Sequence, residues 1–292
     1  MTTAIHRALF LIAMALAHGL LLLPAARAEQ EISLREELHR GNFAEVERRL
    51  YVVQASYEAG RISDVQLRDA YRPLYDLDAP LVDKLKSWAR IRPNSYAAHL
   101  LLGVHFKHLG DVARGGDFIG KTPDAAIAEM DRQHQLAMKE FRSSVSLTTK
   151  PYVSWFLMLG IAQDEGTAAE KLYILGQAVR LDPVAELVRV RYMTTLTPRW
   201  GGSLPQMEAF IVRCQREGVP DRVVRELQAI EEDNEGSDLE DAGDDRGAHE
   251  HFEKALALAS GSAPFFLEDA LQWSQRVLCW NASTPSGNCP RR

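Results

Sequence analysis

The sequence has no glycine-rich phosphate loop, no paired-cysteine zinc pattern and no G-x-S-x-G elbow. That removes the phosphate-loop, zinc-ribbon and serine-hydrolase signatures that a chain can display openly. Ser203 follows two glycines but lacks the second-glycine context of an elbow. A cationic surplus is missing as well. The formal charge is −6, which argues against broad nucleic-acid binding, because that needs a cationic face. Cysteine is scarce, with Cys214, Cys279 and Cys289 alone. Cys279 and Cys289 are candidates for a disulfide closing a short C-terminal loop in an oxidising compartment, and Pro285 and Gly287 between them suit a turn. Cys214 shares a helical face with Met207, Phe210 and Ile211 and reads as a small buried apolar side chain.

Only one long apolar run exists, and it lies at the start. His6 and Arg7 precede Ala8–Leu23, Pro24 breaks the run, and Ala26-Arg27-Ala28 puts small residues at both cleavage positions. Residues 1–28 read as a secretory signal peptide, with the mature chain beginning near Glu29; an uncleaved inner-membrane anchor is the competing reading. The run is short for a membrane span. No cysteine follows the cleavage position, so lipid attachment there has no support. The chain is expected to be periplasmic or secreted, with no stable membrane span after signal cleavage.

What is present is a helical period. At 46% hydrophobic and 25% charged, the composition is globular, and the length suffices for a sizeable core. The segment Phe141–Leu147 recurs at Leu175–Leu181 with the 34-residue period of two-helix repeats of the tetratricopeptide kind. Small residues let two helices approach, a bulky residue fills the space beside them, and a proline ends the second helix because it cannot supply the next N–H. Leu81, Leu85, Trp88, Ile91 and Pro93 fit the phase of Ala178, Leu181 and Pro183. Gly103 falls at a small position, and Gly110 and Gly166 fall at turns. One phase covers Leu81 to Pro183 with an interruption of about 22 residues after Gly110. Gly236, Gly243, Ala248, Phe252 and Ala255 repeat the spacing near the end.

At these residues the chain resembles the tetratricopeptide superfamily. Ala113–Phe118 and Thr197–Ser203 are similar to a bacterial family catalogued as domain of unknown function 4034, over roughly Leu34 to Leu271. The resemblance implies an all-helical solenoid and no activity. The expected architecture is all-α: a right-handed α-solenoid of tetratricopeptide-like helix pairs over residues 29–280. It carries an inserted loop and a C-terminal capping helix, and a flexible tail follows over 281–292.

In chain order, Gly41-Asn42 predicts a turn, Gly60 a helix stop and Ser63 a cap. Asp78-Ala79-Pro80 starts a helix running to Ile91. Tyr96–Leu109 is a helix whose partner is displaced by a loop from Asp111 to about Pro123. Asp124 or Thr122 caps the next long helix. Pairs follow over Pro151–Ala162 and Thr167–Leu181, then Ala185–Leu196, Pro205–Glu217 and a helix from Pro220-Asp221. The carboxylates of Glu231–Asp245 are expected on a solvent face. Phe265–Cys279 is the capping helix.

Four places carry residues that chemistry could use. Arg199, Trp200 and Ser203 flank paired glycines whose amides would be free for an anion; the alternative is that Trp200 fills a gap between repeats. Arg114, Asp117 and Lys121 lie in the inserted loop, and long loops in repeats often carry function. Both breaks are expected on one edge of the solenoid. His99, His105 and His108 lack a third ligand on one stripe, and His249 and His251 point to different helix sides, so no metal site is expected. A calcium loop starting at Asp238 fails at Ala242 and His249. The expected function is a scaffold that binds a protein or peptide partner, with no cofactor, no nucleic acid and no catalysis. The alternative is an envelope ligand-binding protein or hydrolase acting at the two glycine-rich loops.

Overall fold

The computed structural model describes residues 34–76, 81–116 and 119–263, with Phe266, Ala270, Leu271 and Ser274. The expected signal peptide, the Asp78-Ala79-Pro80 helix start, Asp117, the Cys279–Cys289 pair and the tail lie outside the described residues. So does most of the expected capping helix. No strand occurs among the described residues, and no helix among them is long and apolar enough to cross a membrane.

Helix α1 covers 34–40. Gly41, at φ 73°, turns the chain into α2, Phe43–Glu58. Gly60, at φ 69°, ends that helix, and Ser63 opens α3, Asp64–Tyr71, through a capping box with Gln66. A 3₁₀ turn, Arg72–Leu74, follows. Helix α4 is Val82–Ile91, and α5 is Tyr96–Arg114, capped by Ser95. Then come α6, Asp124–Val145, and α7, Tyr152–Glu165. Helix α8 is Ala168–Leu181, capped by Thr167, and α9 is Leu187–Thr195. The last three are α10, Leu204–Arg216; α11, Asp221–Asp241; and α12, Asp245–Leu258.

The interruption after Gly110 does not displace a partner helix. Helix α5 runs through Gly110 to Arg114, and α5 with α6 is the most extensive pairing among the described residues. A Cβ on Gly103 would lie 2.6 Å from the Phe141 ring, and one on Gly110 would lie 2.5 Å from the His134 ring. Gly110 is two turns beyond Gly103 and His134 two turns before Phe141. The extra residues therefore lengthen both helices, and the small-against-ring contact recurs at the new level. Gly110 is a packing residue rather than a turn. Helix α5 ends at Arg114 and α6 begins at Asp124, and Pro123, with no side-chain cap bond, precedes α6 in place of a capping Asp124 or Thr122. The α11–α12 pair repeats the device, with Gly236 closing on the Phe252 ring at 2.5 Å.

Helix α7 is apolar on every side, and residues from Tyr152 to Ala162 other than Trp155 are buried. Such a helix must be covered all round. Helices α6, α8 and α9 pack on it, and so do α3 and α5. The long-range cover is polar at its centre. Oδ2 of buried Asp64 accepts the Tyr152 hydroxyl at 2.7 Å and the amides of Glu186 and Leu187 at 3.0 and 2.8 Å. Tyr152 in turn accepts the Val188 amide at 3.0 Å. An α3 carboxylate thus caps the start of α9, where helix amides favour negative charge. Tyr57 donates to Asp182 at 3.1 Å, and Gln54 donates to the Lys150 carbonyl at 3.0 Å. The chain's own N-terminal helices lie against the corners before α7 and α9.

Candidate functional site

Because α3 lies against α7, the turn that follows it is brought beside α5 and α9. Arg68, Arg72, Tyr75 and Asp76 face Val104, Lys107, His108 and Asp111 of α5. Phe156 and Leu157 of α7 and Arg191 of α9 complete a half-open cleft of about 210 Å³. Its lining holds four permanent cations, Arg68, Arg72, Lys107 and Arg191, against the two carboxylates of Asp76 and Asp111. Each carboxylate also meets a group outside the lining, and Asp111 is paired with Lys107, one of the four. Asp76 pairs with Arg35, and Asp111 meets Lys107 at 2.6 Å and His134 at 3.2 Å.

The cleft is built rather than incidental. Arg68 is 5% exposed and meets Asp69 at 3.0 Å. The Arg191 guanidinium stacks 4.2 Å from the Phe156 ring centroid, a contact that holds the cation in place. The Tyr75 hydroxyl is buried and has no hydrogen-bond partner among the described residues. Burial raises its pKa, and Arg68 and Arg191, then Arg72, oppose the rise, so three guanidinium groups act on that oxygen. An orphaned buried hydroxyl costs about 1–3 kcal/mol. Tyr75 lines the cleft, so a small side-chain shift would present this donor to an anion there.

Asp111 connects this cleft to a second one. His134 of α6 is fully buried, with Nε2 toward Asp111 and Nδ1 2.5 Å from Glu165. His134 and Glu165 line the second cleft, of about 270 Å³, with Gln135, Met138, Arg142 and Glu170 among its other lining residues. Burial alone would lower the His134 pKa. The bonds to Asp111 and Glu165 outweigh it and raise the value from 6.5 to about 9. The imidazolium holds α5, α6 and α7 together. Its stabilisation is complete below pH 6.5 and is lost as pH rises through about 9. Allowing for solvent at Asp111, the loss is about 2 kcal/mol. Urea denaturation between about pH 6 and about pH 10 should show this extra decline, and His134→Gln should remove it. Equal slopes for the two proteins would refute it.

The structure brings the two glycine-rich breaks together. The Arg114 guanidinium lies 5.8 Å from the Trp200 ring centroid, and its Nε is 3.7 Å from Asp164. Burial raises the Asp164 pKa, and Arg114 opposes the rise. Arg199 is exposed. Ser203 precedes α10 without a capping bond, and its hydroxyl donates to Gln206. The amides of residues 200–202 are not free. Those of Trp200 and Gly202 go to the Thr197 carbonyl, and that of Gly201 goes to Pro198. Paired glycine here serves the chain path: Gly201 is left-handed, at φ 81°, and Gly202 abuts Leu196.

The three histidines of α5 do not assemble. His99 meets Glu140 at 2.6 Å, His105 is in the core, and His108 lines the cleft. The acidic stretch is not wholly on a solvent face: Asp233 is buried and accepts the Ser274 amide at 2.6 Å. Cys214 is buried and free, and burial raises its thiol pKa. The cleft cations escaped the sequence reading. Arg68 and Arg72 are four apart, which is one helical step, but nothing in the sequence links them to Lys107 or Arg191. Comparison with family models, with curated proteins and with solved structures finds no match.

Proposed function

We propose that this chain is a periplasmic or secreted scaffold that grips an anionic group of a protein or peptide partner in the cleft between α3, α5, α7 and α9. The single observation that carries the reading is the cation surplus around the orphaned Tyr75 hydroxyl. A carboxylate or phosphate meets charge-assisted donors there, which are stronger than neutral ones. The wider architecture is proposed as a right-handed stack of tetratricopeptide-like pairs related to the unknown-function family named above. The Gly103–Phe141 and Gly236–Phe252 contacts support it. The periplasmic or secreted location rests on residues 1–28.

Exposed Arg72 gives a clean test, because its replacement leaves the core alone. Arg72→Glu should keep the helical circular dichroism spectrum. It should weaken capture of partners from envelope extract about tenfold, equivalent to about 1.4 kcal/mol. Added pyrophosphate or poly-glutamate should compete for the wild-type protein. An Arg72→Glu protein that captures the same partners at the same strength would defeat the reading.

A further inference from the structure

We propose that Glu232, Glu235 and His251 form a site for one divalent transition-metal ion of the zinc class, separate from the cationic cleft. The site is made by the α11–α12 hairpin. Glu232 and Glu235 are three apart and share a face of α11. His251 stands on α12 next to Phe252, whose ring meets Gly236. This tight glycine-to-ring contact is therefore one residue away from ligand positions on both helices. The glycine fixes the spacing, because any Cβ there would force the helices apart.

One donor atom from each of the three residues lies within 4.8 Å of the other two. His251 Nδ1 is 2.7 Å from Glu232 and 3.0 Å from Glu235. Adjacent ligands on a tetrahedral metal with bonds of about 2.1 Å are separated by about 3.4 Å. The two His251–glutamate separations fall within about 0.7 Å of that value, and all three donors lie within 4.8 Å of one another. Without a metal the arrangement is under-supplied, since Nδ1 carries at most one proton and faces two carboxylates. A dication satisfies both carboxylates and takes the imidazole lone pair.

The surroundings favour positive charge. Glu231 adds a further carboxylate next to Glu232 in the sequence. The competing cation is Lys254, 3.5 Å from Glu232, with a side chain 59% exposed that can swing into water. One nitrogen and two oxygens select the zinc class over calcium or magnesium, which take oxygen alone. Three protein ligands leave a further position for water or a partner's side chain.

Cobalt titration of the tag-free chain, read by visible absorption, tests the site, with zinc competition by calorimetry. One equivalent should bind. His251→Gln and Glu235→Gln should each weaken binding at least about tenfold. His249→Gln should bind as the wild type does, since His249 faces Glu253 on another side. Circular dichroism should show all three variants folded. No saturable binding by the wild type, or a folded His251→Gln protein that binds as tightly, would overturn the proposal.

Discussion

Among the described glycines, alanine at position 202 is expected to be the most damaging added methyl group, at about 4 kcal/mol. A Cβ on Gly202 would overlap the Leu196 carbonyl carbon and oxygen and sit 2.6 Å from its Cα. These are backbone atoms, so no rotamer change relieves the overlap. Leu196 closes α9, and the Gly202 amide is bonded to the Thr197 carbonyl at 3.1 Å. Opening the turn breaks that bond and moves Trp200 away from Arg114. Gly176 is the control. It lies within α8, where an added methyl group would meet nothing within 4 Å, and alanine there should stabilise by about 0.5–1 kcal/mol through helix propensity alone. Urea denaturation of the two variants should therefore give opposite signs. A Gly202→Ala midpoint within error of the wild type would mean that the turn is not built this way.

Asp64→Ala is expected to cost about 3 kcal/mol, from three donors left without an acceptor at about 1 kcal/mol each. Those donors are the Tyr152 hydroxyl and the Glu186 and Leu187 amides, all on one carboxylate oxygen. The loss of negative charge at the start of α9 adds to the cost. Burial raises the Asp64 pKa, while the Tyr152 hydroxyl and the Leu187 amide hold it down, so the carboxylate is maintained by the groups it organises. Asp64→Asn retains an acceptor and should lose less. The readouts are the urea midpoint and limited proteolysis, in which α3 of the alanine variant should be cut first. Unchanged stability together with an uncut α3 would show that Asp64 does not hold the N-terminal helices in place. The same variant should weaken partner capture, because Arg68, Arg72 and Tyr75 ride on that segment.

These two residues mark the limits of a sequence reading. The paired glycines at 201 and 202 stand out in the chain, and a sharp break there follows directly from composition. Whether their amides face a ligand or their own turn depends on carbonyls up to five residues back, and the turn claims them. Asp64 looks like an ordinary first-turn acid of a capped helix. Its real partners lie more than 80 residues away in the chain, and no local pattern points to them. The interruption after Gly110 is similar. Its length is visible, but an added loop and a lengthened hairpin contain the same number of residues. Gly110 against His134 decides between them.

Helicity, the limits of most helices and the small-residue positions at Gly103 and Gly236 could be read from residue order. Each follows from spacing or from a cap, which act over a few residues. The enclosure of α7 and the seat of α3 against it came only with the packed chain. So did the cleft shared by cations from α3, α5 and α9, and the meeting of His251 with two glutamates. Those contacts depend on which helix faces meet, and side-chain chemistry at distant positions becomes a site only when backbone packing brings the faces within a few ångströms.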